Sequence, residues 1–196
     1  MDIINTGTNK RRELNMLQQD NKISRIWLYR VVVATAVMLM LFSFSMPWWT
    51  SDASTPQGTF SIKIFGYGLR HNMIALRQYI ATDETPPYRT MLAWGYVAIC
   101  AALAFLSTWF KGVRGSLLLG ILGFSYLAYS LAAIFIVVSN RLEKFDILLI
   151  GKTAAGIYGQ MGINFTSSLS NGFWLACASG GLLIILALVK DWMTRE

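Results

Sequence analysis

His71, between Arg70 and Asn72, is the chain's single histidine and its one candidate imidazole base or haem ligand. A Ser/His/Asp site needs a nucleophile and an orienting acid within reach of the ring, and nothing in the sequence places either there. Paired axial ligation of haem needs a second histidine. Gly151-Lys152-Thr153 has the ending of a phosphate-binding loop. That motif requires another glycine five positions earlier, where Asp146 stands. Asp83 and Glu84 form a carboxylate pair, but they abut Pro86 and Pro87 with no metal-ligand partner in the loop, and read as a solvated turn. Asn164-Phe165-Thr166 fits the glycosylation sequon, a triplet common by chance. Cys100 and Cys177 fall in apolar runs and read as small packing residues, with a bridge between their two helices left open. No catalytic residue, cofactor or metal-ligand set is assigned, and the chain is expected to be no enzyme, although it could serve as a subunit of a membrane enzyme complex.

The surroundings of these residues explain why. The chain is 55% hydrophobic and only 14% charged, with a mean hydropathy of +0.47. Soluble domains carry roughly 25% charged residues. Four apolar runs cover residues 26–46, 90–110, 116–139 and 172–189, each near the ~20 residues that span ~30 Å of hydrocarbon. They show no period-two alternation, so they are helices. The first sits behind a polar lead, 1–25, and lacks a small-x-small cleavage site, so it reads as a retained helix and not a signal peptide. All seven tryptophans lie at the margins of the runs: Trp27, Trp48, Trp49, Trp94, Trp109, Trp174 and Trp192. Indole is amphipathic and suits the headgroup layer.

Ten of the 17 Lys and Arg residues belong to the N-terminal segment with Arg30 near the start of the first run, the 111–115 link and the 190–196 tail. Seven are spread over the longer loops 47–89 and 140–171. The positive-inside rule then puts both termini in the cytoplasm and both long loops outside, in a multi-pass protein of the plasma (cytoplasmic) membrane. The Lys10–Arg12 cluster reads as a headgroup-facing lead and not as a nucleic-acid site. No ionisable residue lies in the central part of any run, which argues against a proton relay or ion path through the bundle. Small residues four apart, among them Ala98 and Ala102, Ser116 and Gly120, and Ala176 and Gly180, are expected to pack helix against helix. Ser125, Tyr126, Tyr129 and Ser130 make the third helix the most polar, with hydroxyls expected to bond within the bundle.

The outer loops carry the remaining information. In loop 47–89, Thr50–Thr59 reads as a turn and residues 59–65 as a half-buried strand, with Phe60, Ile62 and Ile64 alternating against Ser61 and Lys63. Gly66–Leu69 should break it, and residues 71–81 have the spacing of a short amphipathic helix. In loop 140–171, residues 145–150 read as a strand before a glycine-rich turn region. The expected fold is an all-α membrane protein, a four-helix bundle carrying a small extracytoplasmic antiparallel sheet from the two loops.

This layout resembles the claudin and peripheral-myelin-protein group of tetraspan proteins. The family's Trp then Gly-Leu-Trp signature is matched by Trp48 or Trp49 and by Gly68-Leu69, with Arg70 at the place of the second tryptophan and no loop cysteines. The resemblance implies adhesion, barrier or assembly work carried by the outer sheet.

The expected function is non-catalytic, through protein–protein contact: an accessory or assembly subunit of a larger membrane complex, or a claudin-like lateral assembler. Its partners would be the bilayer and other integral membrane proteins or further copies of itself, with no nucleic acid. Trp48, Trp49, Phe65, Tyr67 and His71 are the expected interaction surface, aromatic anchors with a polar rim. The alternatives are an oligomeric channel or facilitator selecting through Lys63 and Arg70, and a quinone-linked redox subunit.

Overall fold

A computed structural model describes residues 3–55, 58–71, 86–110, 112–143, 147–157 and 160–194. Helix α1 (Ile3–Ser45) runs almost directly into β1 (Pro47–Thr55), followed by β2 (Gly58–Phe65) and β3 (Gly68–His71). Helix α2 (Pro87–Leu106) leads to α3 (Val113–Ala132), which continues through a π-helical turn, Ala133–Val138, into the short α4 (Ser139–Glu143). Strands β4 (Gly151–Ile157) and β5 (Gln160–Leu169) precede α5 (Asn171–Thr194). Among the described residues, four helical segments are long and apolar enough to cross a membrane: Ile23–Ser45, Pro87–Leu106, Val113–Val138 and Asn171–Lys190. The protein is mostly helical, with one small antiparallel sheet.

Several boundaries differ from those expected. The polar lead is helical and continuous with the first span, because its Lys, Arg, Glu, Gln and Leu residues are good helix formers. Helix α2 starts at Pro87, since proline suits the first turn of a helix, where its missing N–H costs nothing. The hydroxyl-rich stretch after Trp49 is strand and not turn. Its side chains pair across to β5, with Ser51 Oγ 3.0 Å from Ser167 Oγ. The break at Gly66 is a two-residue turn, after which β3 folds back on β2. Residues 147–150 are irregular, and the second loop's strands begin at Gly151 and include Gly156 and Gly162 of the region read as turn, while residues 145, 146 and 159 lie outside the described residues. Pairing to neighbouring strands overrides the weak strand propensity of those glycines. The amphipathic helix expected over 71–81 falls outside the described residues, except for His71, which ends β3.

The core is a stripe on each helix. On α1, Tyr29, Val33, Ala36, Met40 and Phe44 recur every three or four residues and are buried. Helix α5 packs against both α1 and α3. Its Gly180 meets Gly123 of α3 backbone to backbone: a Cβ on Gly123 would lie 2.8 Å from the Gly180 carbonyl oxygen. Ala176 is buried, and Gly120 faces Ala187 at ordinary contact distance. Ala98 and Ala102 are exposed, contrary to their expected packing role. The buried face of α2 is Val97, Cys100 and Ala104, and residues 98 and 102 sit about 100° around the helix from 97 and 101. The hydroxyl of Tyr126 pairs with Ser43 Oγ at 2.8 Å and reaches the Met40 carbonyl at 3.2 Å, tying α3 to α1 inside the bundle. Both cysteines are free.

The sheet has the order β3-β2-β1-β5-β4, all antiparallel, so the first and second loops join along β1 and β5. One face buries Ser51, Ala53, Ile62, Phe165 and Ser167, while Asp52, Lys63, Asn164, Thr166 and Ser168 are exposed. The sheet joins the bundle where α1 enters β1 and β5 enters α5.

Candidate interaction surface at the sheet–helix junction

A register shift between Pro47 and Trp49 makes Trp48 the extra residue of a bulge. This lets two consecutive indoles both be buried. Trp48 Nε1 donates to the Ser43 carbonyl at 2.9 Å, with its ring edge-on to Phe44 and Tyr129. Trp49 Nε1 donates to the Leu149 carbonyl at 2.6 Å, in the segment before β4. Both tryptophans are 0% exposed. They are core residues joining sheet to helices, and neither presents its ring at the protein's surface. Buried indole finds its hydrogen-bond partner within the fold, and the area it removes from water or lipid anchors the junction.

Phe65 and Tyr67 lie one turn further on and are only half buried. The Gly66-Tyr67 turn is pressed against the helices. A Cβ on Gly66 would lie 2.5 Å from ring carbons of Phe44 and 2.7 Å from Trp48, so glycine alone fits there. The Gly66 carbonyl accepts from the Tyr129 hydroxyl at 2.6 Å, which fixes the turn to α3. Tyr67 is thereby sandwiched between Phe65, stacked at 5.1 Å, and Trp94 of α2, stacked at 5.7 Å. Phe44 closes the cluster edge-on to Trp94 at 4.9 Å.

Arg70 sits on the open side of this stack, 5.7 Å from the Phe65 ring and 5.6 Å from the Tyr67 ring. A guanidinium over an aromatic face keeps its planar fork of donors available. Lys63 stands directly opposite Arg70 in the β2–β3 register, and Arg89 lies over Tyr88 at the start of α2. The patch is aromatic at its centre and cationic at its rim.

Of the residues expected to form a surface, the structure thus gathers Phe65 and Tyr67 and withdraws Trp48 and Trp49 into the core. His71 pairs in backbone register with Ile62, and its side chain is outside the described residues. Sequence reading missed Trp94, Phe44 and Tyr129. Trp94 looked like a helix-end marker, and no spacing rule links it to residue 67. In the sequence Arg70 reads as the residue at the place of the family's second tryptophan and as a selectivity charge of the channel alternative, and not as part of the interaction surface. Among the described residues, no group of three or more His, Cys, Asp or Glu side chains gathers in a way that could hold a metal. Compared with known protein families and with curated proteins, the chain matches none of them.

Proposed function

We propose that the protein is a non-catalytic multi-pass membrane protein working through lateral protein–protein contact, as an accessory or assembly subunit of a larger complex or as a claudin-like assembler. The observation that carries this reading is the Phe65–Tyr67–Trp94 stack with Arg70 across it. It is a rigid aromatic anchor with a charged rim, the composition that concentrates binding energy at interfaces. Its neighbours on α2, Tyr88, Met91 and Leu92, are exposed, and α2 buries the least of its surface of the four spans. Arg70, Lys63 and Arg89 favour a partner presenting carboxylates beside an apolar helix.

The sheet is taken to face outside and both termini to face the cytoplasm of a plasma (cytoplasmic) membrane. The support for that orientation is the Lys and Arg asymmetry of the sequence, ten residues on the side of the termini and the short 111–115 link against seven over the two longer loops. Gentle detergent extraction should release a particle much larger than the 21.9 kDa chain with its micelle. A strictly monodisperse monomer would overturn the reading.

A further inference from the structure

Among the described residues, two buried side-chain polar atoms have no hydrogen-bond partner: Tyr29 Oη and Arg30 Nε, in consecutive residues of α1. Arg30 lies inside the Ile23–Ser45 span, about two helical turns from its start. Its guanidinium rests 5.8 Å from the ring of Trp109, just beyond the end of α2. Trp27, one turn before Arg30 on α1, is 68% exposed, and Trp109 is 53% exposed. Two outward indoles at one level mark a headgroup layer. Arg30 is therefore a cation held at that layer with a buried donor that the protein leaves unused.

A phosphodiester supplies what is missing. It is anionic, and its two free oxygens match the guanidinium fork bidentately. The setting favours a lipid over a soluble ion. Leu28 and Val31 are exposed and apolar, and with Ile23, Ser24 and Trp27 they line a shallow depression on the outer face of α1, adjoining Arg30 and turned away from Tyr29, where an acyl chain would lie. The indole against which Arg30 rests is itself held in place. Lys190 Nζ donates to the carbonyls of Ser107 and Phe110, on either side of Trp109. We propose that Arg30, Trp109 and Tyr29 form the headgroup site for one anionic phospholipid at the bundle end opposite the sheet.

The test is native mass spectrometry of the full chain released from detergent, titrated with phosphatidylglycerol or with phosphatidylcholine of the same acyl chains. The wild type should retain one phosphatidylglycerol in clear preference, and Arg30→Gln should weaken it by roughly ten-fold, as the loss of one charge-assisted pair implies. Arg114→Gln, exposed at the same end, should leave it unchanged. Tyr29→Phe removes only an unpartnered oxygen, so it should fold even if Arg30→Gln does not, and should retain phosphatidylglycerol several-fold more weakly. No preference in the wild type, or an unchanged preference in Tyr29→Phe and in whichever Arg30 variant folds (Arg30→Gln or Arg30→Lys), overturns the site. Excess inorganic phosphate should leave the lipid bound, and its displacement would overturn the lipid assignment in favour of a soluble anion.

Discussion

The ammonium of Lys190, near the end of α5, lies 2.5 Å from the carbonyl oxygen of Ser107, 83 residues away and just past the end of α2. It also donates to the Phe110 carbonyl at 3.0 Å, and it is 1% exposed. A helix leaves its last carbonyls unpaired and carries partial negative charge there, so a lysine from another helix is a fitting cap. In sequence, Lys190 reads as the charge that ends the last span. In the fold it also clamps three helices, because α2 and α3 are joined by the segment it holds. Gly115 completes the clamp: a Cβ there would occupy the position of Lys190 Nζ.

Lys190→Met should therefore destabilise the fold in detergent by about 1–3 kcal/mol, the range for stranding a buried polar group, read as a lower unfolding midpoint. Gly115→Ala should produce a loss of similar size by evicting the ammonium. Because both act on one contact, the double variant should lose less than the sum of the two. Fully additive losses would show that the clamp is not shared.

How much of this was readable beforehand depends on distance along the chain. The four spans announce themselves through apolar length, a local property. The strand over β2 was visible because Phe60, Ile62 and Ile64 alternate. β1 and β5 were not. Their Thr, Ser and Gly residues look like turn, and pairing to neighbouring strands, including Ser51 with Ser167 across 116 residues, makes them strand. The doubled tryptophan was located correctly at a helix exit and misread in environment. Whether an indole faces lipid or core depends on a bulge and on what folds over it, and neither leaves a local signature. Phe65 and Tyr67 were found because they are neighbours in sequence. Their third member, Trp94, arrives from another helix.

Gly66 offers a second test. Gly66→Val has to displace the Phe44 and Trp48 rings, which lie 2.5 Å and 2.7 Å from a modest Cβ. Overpacking of this kind costs about 1–3 kcal/mol. The expected outcome is reduced stability together with altered tryptophan emission, since the turn carries Tyr67 away from Trp94. Emission identical to wild type would mean the stack survives without the turn.

The Gly123–Gly180 crossing should be the least tolerant point between α3 and α5. A Cβ at 123 meets the Gly180 carbonyl at 2.8 Å, and one at 180 meets the Gly123 carbonyl at 3.1 Å. Gly123→Leu should separate the helices and leave little folded protein after extraction. Ala98→Leu, on the exposed face of α2, should be recovered folded at wild-type levels. Equal recovery of Gly123→Leu and Ala98→Leu would contradict the close crossing.

Arg70 and Tyr67 permit separation of folding from association. Arg70 is exposed, and among the described residues it rests against the rings of Phe65 and Tyr67 in its own patch, so Arg70→Gln should change stability by no more than about 1 kcal/mol, the range of an exposed cation–π contact. Tyr67→Ala removes the middle ring of the stack and should cost more, roughly 0.5–1.5 kcal/mol for each lost aromatic pair beyond the area it exposes. If the patch is the contact surface, both variants should shrink the extracted particle toward the monomer. Arg70→Gln should do so without lowering the unfolding midpoint appreciably, and Arg70→Glu should do so more strongly by repelling a carboxylate-bearing partner. A particle of unchanged size with Arg70→Glu would move the contact elsewhere on the protein.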